Sequence, residues 1–203
     1  MRAERVVTSG TFTLDGETFD VDNNVWLIGD DAEVLVVDAA HDAPAIVAAV
    51  AGRRITAVVC THGHDDHIGA AAALAEASGA PVLLHPADRE LWDHVHPSRP
   101  PDGELSDGQR LFIAGTAVRV LHTPGHTWGS CSLHAAFLDA VFTGDTLFRG
   151  GPGATGRSYS DRPTILASVR RRLLTLPGAT VVHTGHGDDT TVAAERTTLP
   201  GLR

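Results

Sequence analysis

The sequence reads as an α/β fold: two mixed β-sheets packed face to face, with helices on the outside. Three observations predict it. The chain opens on a hairpin pattern and passes into strand, loop and helix units; the second half repeats that mixture without repeating the sequence; and several strands are short, β-branched and free of charge, as strands covered on both faces are. With 203 residues, the whole span 1–203 is expected to form one domain around a substantial core.

Taken in order, residues 5–14 and 19–28 read as extended segments joined by the turn-forming Asp15-Gly16. A third strand, 33–38, ends in Asp38, and 43–50 reads as a helix. Residues 55–60 form an apolar strand that leads into Thr61-His62-Gly63-His64-Asp65-Asp66-His67. The Ala-rich segment 66–77 is helical and stops at Ser78-Gly79, where Gly is a common terminator. A strand at 81–84 and a helix at 86–94 follow, then a Pro-, Gly- and Asp-rich loop from 96 to 108. Further strands are expected at 110–113, 117–122, 130–133, 139–143 and 180–183, with a Gly-rich loop at 150–161 and a helix at 163–174.

Composition narrows the function. Hydrophobic residues make up 42% and charged residues 20%, as in a globular enzyme, and the net charge of −9 argues against a nucleic-acid partner. No segment approaches the ~20 apolar residues that span a bilayer, and the start shows no apolar stretch of signal-peptide length. A cytoplasmic protein without membrane contact is expected. Cys60 and Cys131 are too few for a disulfide framework and sit in apolar strand-like stretches. The sequence leaves the oligomeric state open.

The chemistry concentrates at strand ends. Three imidazoles and two carboxylates within residues 62–67 would be costly to order unless a cation gathers them. His126, Asp145 and His186 each follow a predicted strand and adjoin Gly, which lets backbone approach an ion closely. His62, His64, Asp66, His67, His126, Asp145 and His186 are too many ligands for one tetrahedral ion and suit two.

The His-x-His-x-Asp-His run at 62–67, with the later ligand motifs in order, resembles the metallo-β-lactamase superfamily over roughly residues 21–195. That resemblance implies a four-layer αββα sandwich. It also implies one metal on His62, His64 and His126, a second on Asp66, His67 and His186, and Asp145 bridging them. Within the superfamily the chain is similar to glyoxalase II, the hydroxyacylglutathione hydrolases. Pro124-Gly125-His126-Thr127-Trp128-Gly129 and Gly144-Asp145-Thr146-Leu147-Phe148 carry the likeness. Gly156-Arg157-Ser158-Tyr159 is similar to that family's substrate-contacting element, with Ser158 in place of an aromatic, and so implies Arg157 and Tyr159 as substrate-binding residues. The likeness is to a short form, because the longer enzymes continue past the last His into a helical domain and here residues 187–203 follow His186.

Two divalent ions ~3.5–4 Å apart lower the pKa of a shared water towards 7, and Asp66 is placed to hold its proton. Zinc is the first expectation, with iron or manganese as alternatives. A thioester suits such a site because its leaving thiol, with a pKa of ~8.5, departs as a thiolate. The expected activity is hydrolysis of a small acyl group from a low-molecular-weight thiol. Two rivals stand beside it. A persulfide dioxygenase would use one iron on His62, His126 and Asp145, and a non-catalytic metal-binding protein would be expected to lack ligands, of which none is missing. Arg157 has a plainer reading as a partner of Asp161, and Asp38 and His122 read as residues that orient ligands.

Overall fold

The computed structural model describes residues 1–199; positions 200–203 of the expected domain lie outside the described residues. Two six-stranded sheets form its centre. The first contains, in spatial and chain order, β1 (Arg2–Leu14), β2 (Glu17–Gly29), β3 (Glu33–Val37), β4 (Arg54–Val59), β5 (Val82–Leu84) and β6 (Gly103–Glu104). Strands β1, β2 and β3 pair antiparallel, and β3 to β6 run parallel. The connections carry α1 (Ala43–Val50), α2 (Asp65–Ile68), α3 (Ala71–Ser78) and, after a 3₁₀ turn at Pro86–Asp88, α4 (Arg89–Val95).

The second sheet uses β7 (Arg110–Ile113), β8 (Thr116–His122), β9 (Cys131–Ala135) and β10 (Ala140–Gly144). A small hairpin, β11 (Leu147–Phe148) and β12 (Gly151–Pro152), stands apart from it, followed by α5 (Arg162–Ser168), a π-helical turn at Val169–Leu173, β13 (Val181–Thr184), β14 (Thr190–Thr191) and α6 (Val192–Thr198). The sheet order is β14-β13-β10-β9-β8-β7, with β10 and β13 parallel.

Side chains on a strand alternate between faces, and β2 shows what that does here. Trp26 and Ile28 point into a central core shared with Leu35, Val37, Val118, Val120, Leu133 and Phe142. Val25 and Leu27 point the other way, against Ile46, Leu74 and Trp92 on the first helical layer. The outer face of the second sheet buries Leu121, Val141 and Val182 against Ile165, Val169 and Val192. Three cores therefore separate four layers, the αββα sandwich that the sequence resemblance implies. Truncating a central anchor such as Phe142, 1% exposed, to Ala would cost about 3–5 kcal/mol.

Some boundaries differ from the sequence reading. The expected helix 66–77 is two helices, because Ala70 N–H donates to the Ala39 carbonyl at 3.0 Å and so leaves the helical ladder. The expected helix 163–174 loosens into the π-helical turn after Ser168. The loops expected at 96–108 and 150–161 contain β6 and β12, and β14 and α6 follow the last expected strand.

Candidate metal centre

The ends of β3, β4, β5, β8, β10 and β13 gather at one edge of the sandwich. Asp38 follows β3, His62 and His64 follow β4, His126 follows β8, Asp145 follows β10 and His186 follows β13. A bulge between Phe142 and Gly144 shifts the β10–β13 register just before Asp145. Gly144 has φ +47°, and a Cβ there would collide with Thr61 Oγ1. A Cβ on Gly185 would collide with Asp145 Oδ1 and lie 2.8 Å from His67 Cε1, so bare backbone lets three loops meet.

All seven expected ligands converge. His64 Nδ1 lies 3.0 Å from both His62 Nε2 and His126 Nε2. In the second set His67 Nε2 and His186 Nε2 are 3.2 Å apart, and Asp66 Oδ2 lies 3.5 Å from the first and 3.2 Å from the second. Asp145 stands between the sets, its Oδ1 3.3 Å from His67 Nε2 and its Oδ2 3.5 Å from both His126 Nε2 and His186 Nε2. Four ligands around a tetrahedral zinc at about 2.0–2.1 Å stand roughly 3.3 Å apart, which is the spacing of these atoms. The donor set fits a pair of cations on a second ground: Asp66 Oδ1 and Asp145 Oδ1 are buried without a hydrogen-bond partner.

The remaining ring nitrogens fix which atom faces the centre. His67 Nδ1 donates to Asp38 Oδ2 at 3.0 Å, His126 Nδ1 to the Ala154 carbonyl at 2.9 Å and His186 Nδ1 to the Asp22 carbonyl at 2.7 Å. His62 Nδ1 lies 3.1 Å from Thr61 Oγ1, which donates on to Asp38 Oδ2 at 2.7 Å. Asp38 thus orients one imidazole of each set, as its sequence reading anticipates. His122 contacts no ligand; its Nε2 donates to the Trp128 carbonyl at 2.9 Å.

Electrostatics divide the sets. Burial holds the His62 imidazole well below its ordinary pKa and takes His64 down to about 3, with neighbouring imidazoles adding to the effect. Burial also opposes charge on His67 and His186, yet the carboxylates win. Asp66, Asp145 and Asp38 hold His67 well above its usual range, and Asp145 and Asp66 push His186 up to about 10. Burial would raise Asp66, but His67 and His186 bring it to about 2.

Beside His64 and His126 lies a cavity of about 90 Å³ lined by Phe12, Leu14, Thr155, Arg157 and Ser160. Arg157 reaches it, but its guanidinium pairs with Glu17 at 2.6 Å and stacks 5.2 Å over Phe19. Asp161, the partner its plainer reading names, instead caps α5 through Thr164 N at 2.9 Å. Tyr159 is placed elsewhere: with φ +66° its hydroxyl donates to Glu90 Oε1 at 3.0 Å, and it is not part of the cavity wall.

Sequence reasoning missed three residues. Asn23, fully buried, donates through Nδ2 to Asp66 Oδ2 at 3.0 Å, and its Oδ1 accepts from His41 Nε2 at 2.8 Å. Asp88 binds both loops of the first set. None of the three carries a local signal: Asn23 sits in the polar stretch Asp22-Asn23-Asn24 before the apolar end of β2.

Two stacked sheets whose strand ends jointly gather adjoining His and Asp clusters, one carboxylate between them, have the form of a metal-binding fold. A family model described as the metallo-beta-lactamase superfamily matches residues 18–186, and the chain belongs to that superfamily. Its members are mostly metal-dependent hydrolases. The chain is 33% identical to the probable metallo-hydrolase YqgX of Bacillus subtilis, over 89% of this chain and 92% of that protein. It is 37% identical to a hydroxyacylglutathione hydrolase of Cereibacter sphaeroides, over 81% of this chain and 62% of that enzyme. Among solved structures, BLEG-1 B3 metallo-beta-lactamase superposes with a TM-score of 0.82 at 29% identity, covering 96% of this chain and 99% of that one. TTHA1623 in a di-iron-bound form gives 0.78 at 34% identity, covering 88% and 94%. ETHE1 from Myxococcus xanthus gives 0.75 at 29%, covering 97% and 84%. Among the described residues no helix is long and apolar enough to cross a membrane.

Proposed function

We propose that this chain is a binuclear metal-dependent hydrolase that cleaves the thioester of a small acyl group with a low-molecular-weight thiol. The observation that carries the reading is Asp145, one carboxylate whose Oδ2 lies 3.5 Å from a ligand nitrogen of each set and whose Oδ1 lies 3.3 Å from His67 Nε2. Divalent cations held by these residues supply a nucleophilic water at neutral pH and a Lewis acid for the carbonyl, with zinc the first choice for so nitrogen-rich a donor set and iron or manganese the alternatives.

The chain's own groups supply position and proton handling. Asn23 holds Asp66 through Oδ2, which leaves the buried Oδ1 free to accept a hydrogen bond from the attacking water and so orient it. Phe12 and Leu14 wall the adjoining cavity, whose size admits a small acyl group, and Phe12 packs 5.1 Å from the His64 ring. No carboxyl group lines that cavity. A thioester needs no acid beside its leaving group, because a thiol of pKa ~8.5 departs as a thiolate. The likeness to hydroxyacylglutathione hydrolase supports an acyl-thiol substrate, and a net charge of −9 disfavours a nucleic-acid partner.

Turnover of S-lactoylglutathione and other acyl thiols by the metal-replete protein tests the reading. Activity at least about a hundredfold above a His62→Ala control is expected, and no thioester cleavage above that control defeats it. The single-iron persulfide dioxygenase would draw on His62, His126 and Asp145, which are also together here. Tyr159, bonded to Glu90, does not separate the two. One iron per chain with oxygen uptake on a persulfide would replace the hydrolase reading.

A further inference from the structure

Asp88 stands where the two halves of the first cation set meet, and it touches no ligand side chain. It closes the 3₁₀ turn after β5 and is 1% exposed. Its Oδ2 accepts hydrogen bonds from Gly63 N at 2.9 Å and Thr127 Oγ1 at 2.6 Å, and its Oδ1 accepts from Gly129 N at 2.6 Å. Gly63 lies between His62 and His64 on a loop of the first sheet, whereas Thr127 and Gly129 follow His126 on a loop of the second. A Cβ on Gly63 would come 3.1 Å from Asp88 Cβ, and one on Gly129 would come 2.9 Å from it, so both loops bring bare backbone against this one side chain.

Every donor to Asp88 is neutral, and a carboxylate so deep without a countercharge is costly. Packing alone does not call for an acid there. Three converging donors do, since only an acceptor-only group can satisfy all of them. The second set has other supports: Asp66 and His67 share one helical turn and are held by Asn23 and Asp38, and His186 is held by the Asp22 carbonyl.

We propose that Asp88 is a positioning residue that locks the His62–His64 loop to the His126 loop and sets the spacing of the first cation set, leaving the second set independent of it. This rests on the binuclear reading but concerns cation affinity, not substrate.

The test titrates metal-free wild type, Asp88→Asn, Thr127→Val and Thr127→Ser with cobalt(II), read by ligand-field absorption and calorimetric stoichiometry, with thermal unfolding of each metal-free protein. His62→Ala marks which ion belongs to the first set. Asp88→Asn should bind that ion about ten- to a hundredfold more weakly and keep the other unchanged. Thr127→Val, which removes one donor, should show a smaller loss at the same ion, and Thr127→Ser should restore it. Equal weakening of both ions, weakening of the other ion alone, or two unaltered affinities in a variant with a lowered Tm overturns the proposal. If Asp88→Asn does not fold, the Thr127 pair decides by the same criteria. A wild type that takes only one cobalt defeats the binuclear reading itself, and Asp88→Asn then decides by weakening that ion or leaving it unchanged. Absence of thioester turnover leaves the cobalt result standing.

Discussion

The two cation sets share a carboxylate yet differ in what occupies them before any ion arrives. His62 and His64, with His126, form an imidazole cluster in which burial keeps His62 well below its ordinary pKa and His64 at about 3. Around Asp66, the carboxylates outweigh burial, so His186 is pushed up to about 10 and His67 stays well above its usual range. At neutral pH His62 and His64 offer free lone pairs, whereas His67 and His186 hold protons that an entering cation must displace. Ligand identity alone does not set metal affinity; the second set's acids both strengthen its pull and fill it with competitors.

The severest break of this comparison is Asp145→Asn, which halves the charge logic of both sets at once. Metal content measured after dialysis should fall below one ion per chain, with turnover lowered at least about a hundredfold; two retained ions would remove Asp145 from its bridging place. Asp38→Asn acts more narrowly. It weakens the acceptor that His67 Nδ1 and Thr61 Oγ1 share, so chemical denaturation should show about 1–3 kcal/mol of lost stability. Metal affinity should drop about tenfold or more.

Calorimetry in buffers of different ionisation enthalpy sharpens the contrast directly. Loading the second set at pH 7 should release protons, and its affinity should rise about tenfold per pH unit for each proton released. Loading the first set should release none from His64, and equal release from both would erase the distinction. The metal-free protein offers a related test. His64 binds protons less well folded than unfolded, so its contribution to stability is complete above about pH 6.5 and is lost as pH falls towards 3. His186 has the opposite sign, contributing fully below about 6.5 and losing that contribution as pH rises through about 10. A His64→Asn variant should therefore flatten the acid side of the stability curve. The smallest effect belongs to Arg157→Gln, whose exposed pair with Glu17 contributes at most about 1 kcal/mol; a raised KM with unchanged kcat would show that Arg157 also meets substrate.

The ligands were legible because four of them crowd into residues 62–67 after an apolar strand and the other three sit beside Gly at strand ends, a pattern that survives without knowledge of the fold. The supports were not. Asp88 gains its role from loops that meet only once both sheets are stacked, Asn23 and His41 from contacts between distant stretches of the first half, and nothing in their neighbours announces either. Arg157 shows the same limit: local spacing favoured Asp161, but the β1–β2 hairpin brings Glu17 closer. The layers were readable from apolar alternation, whereas two-residue strands such as β6 and β14 are too short to show any period.

Gly185 fixes one further property of the centre. With Asp145 and His67 pressed against its bare α-carbon, the wall behind the bridging carboxylate has no slack for a side chain to swing into. Any side chain at position 185 would have to displace Asp145 or His67, so this one backbone position guards the seat of both.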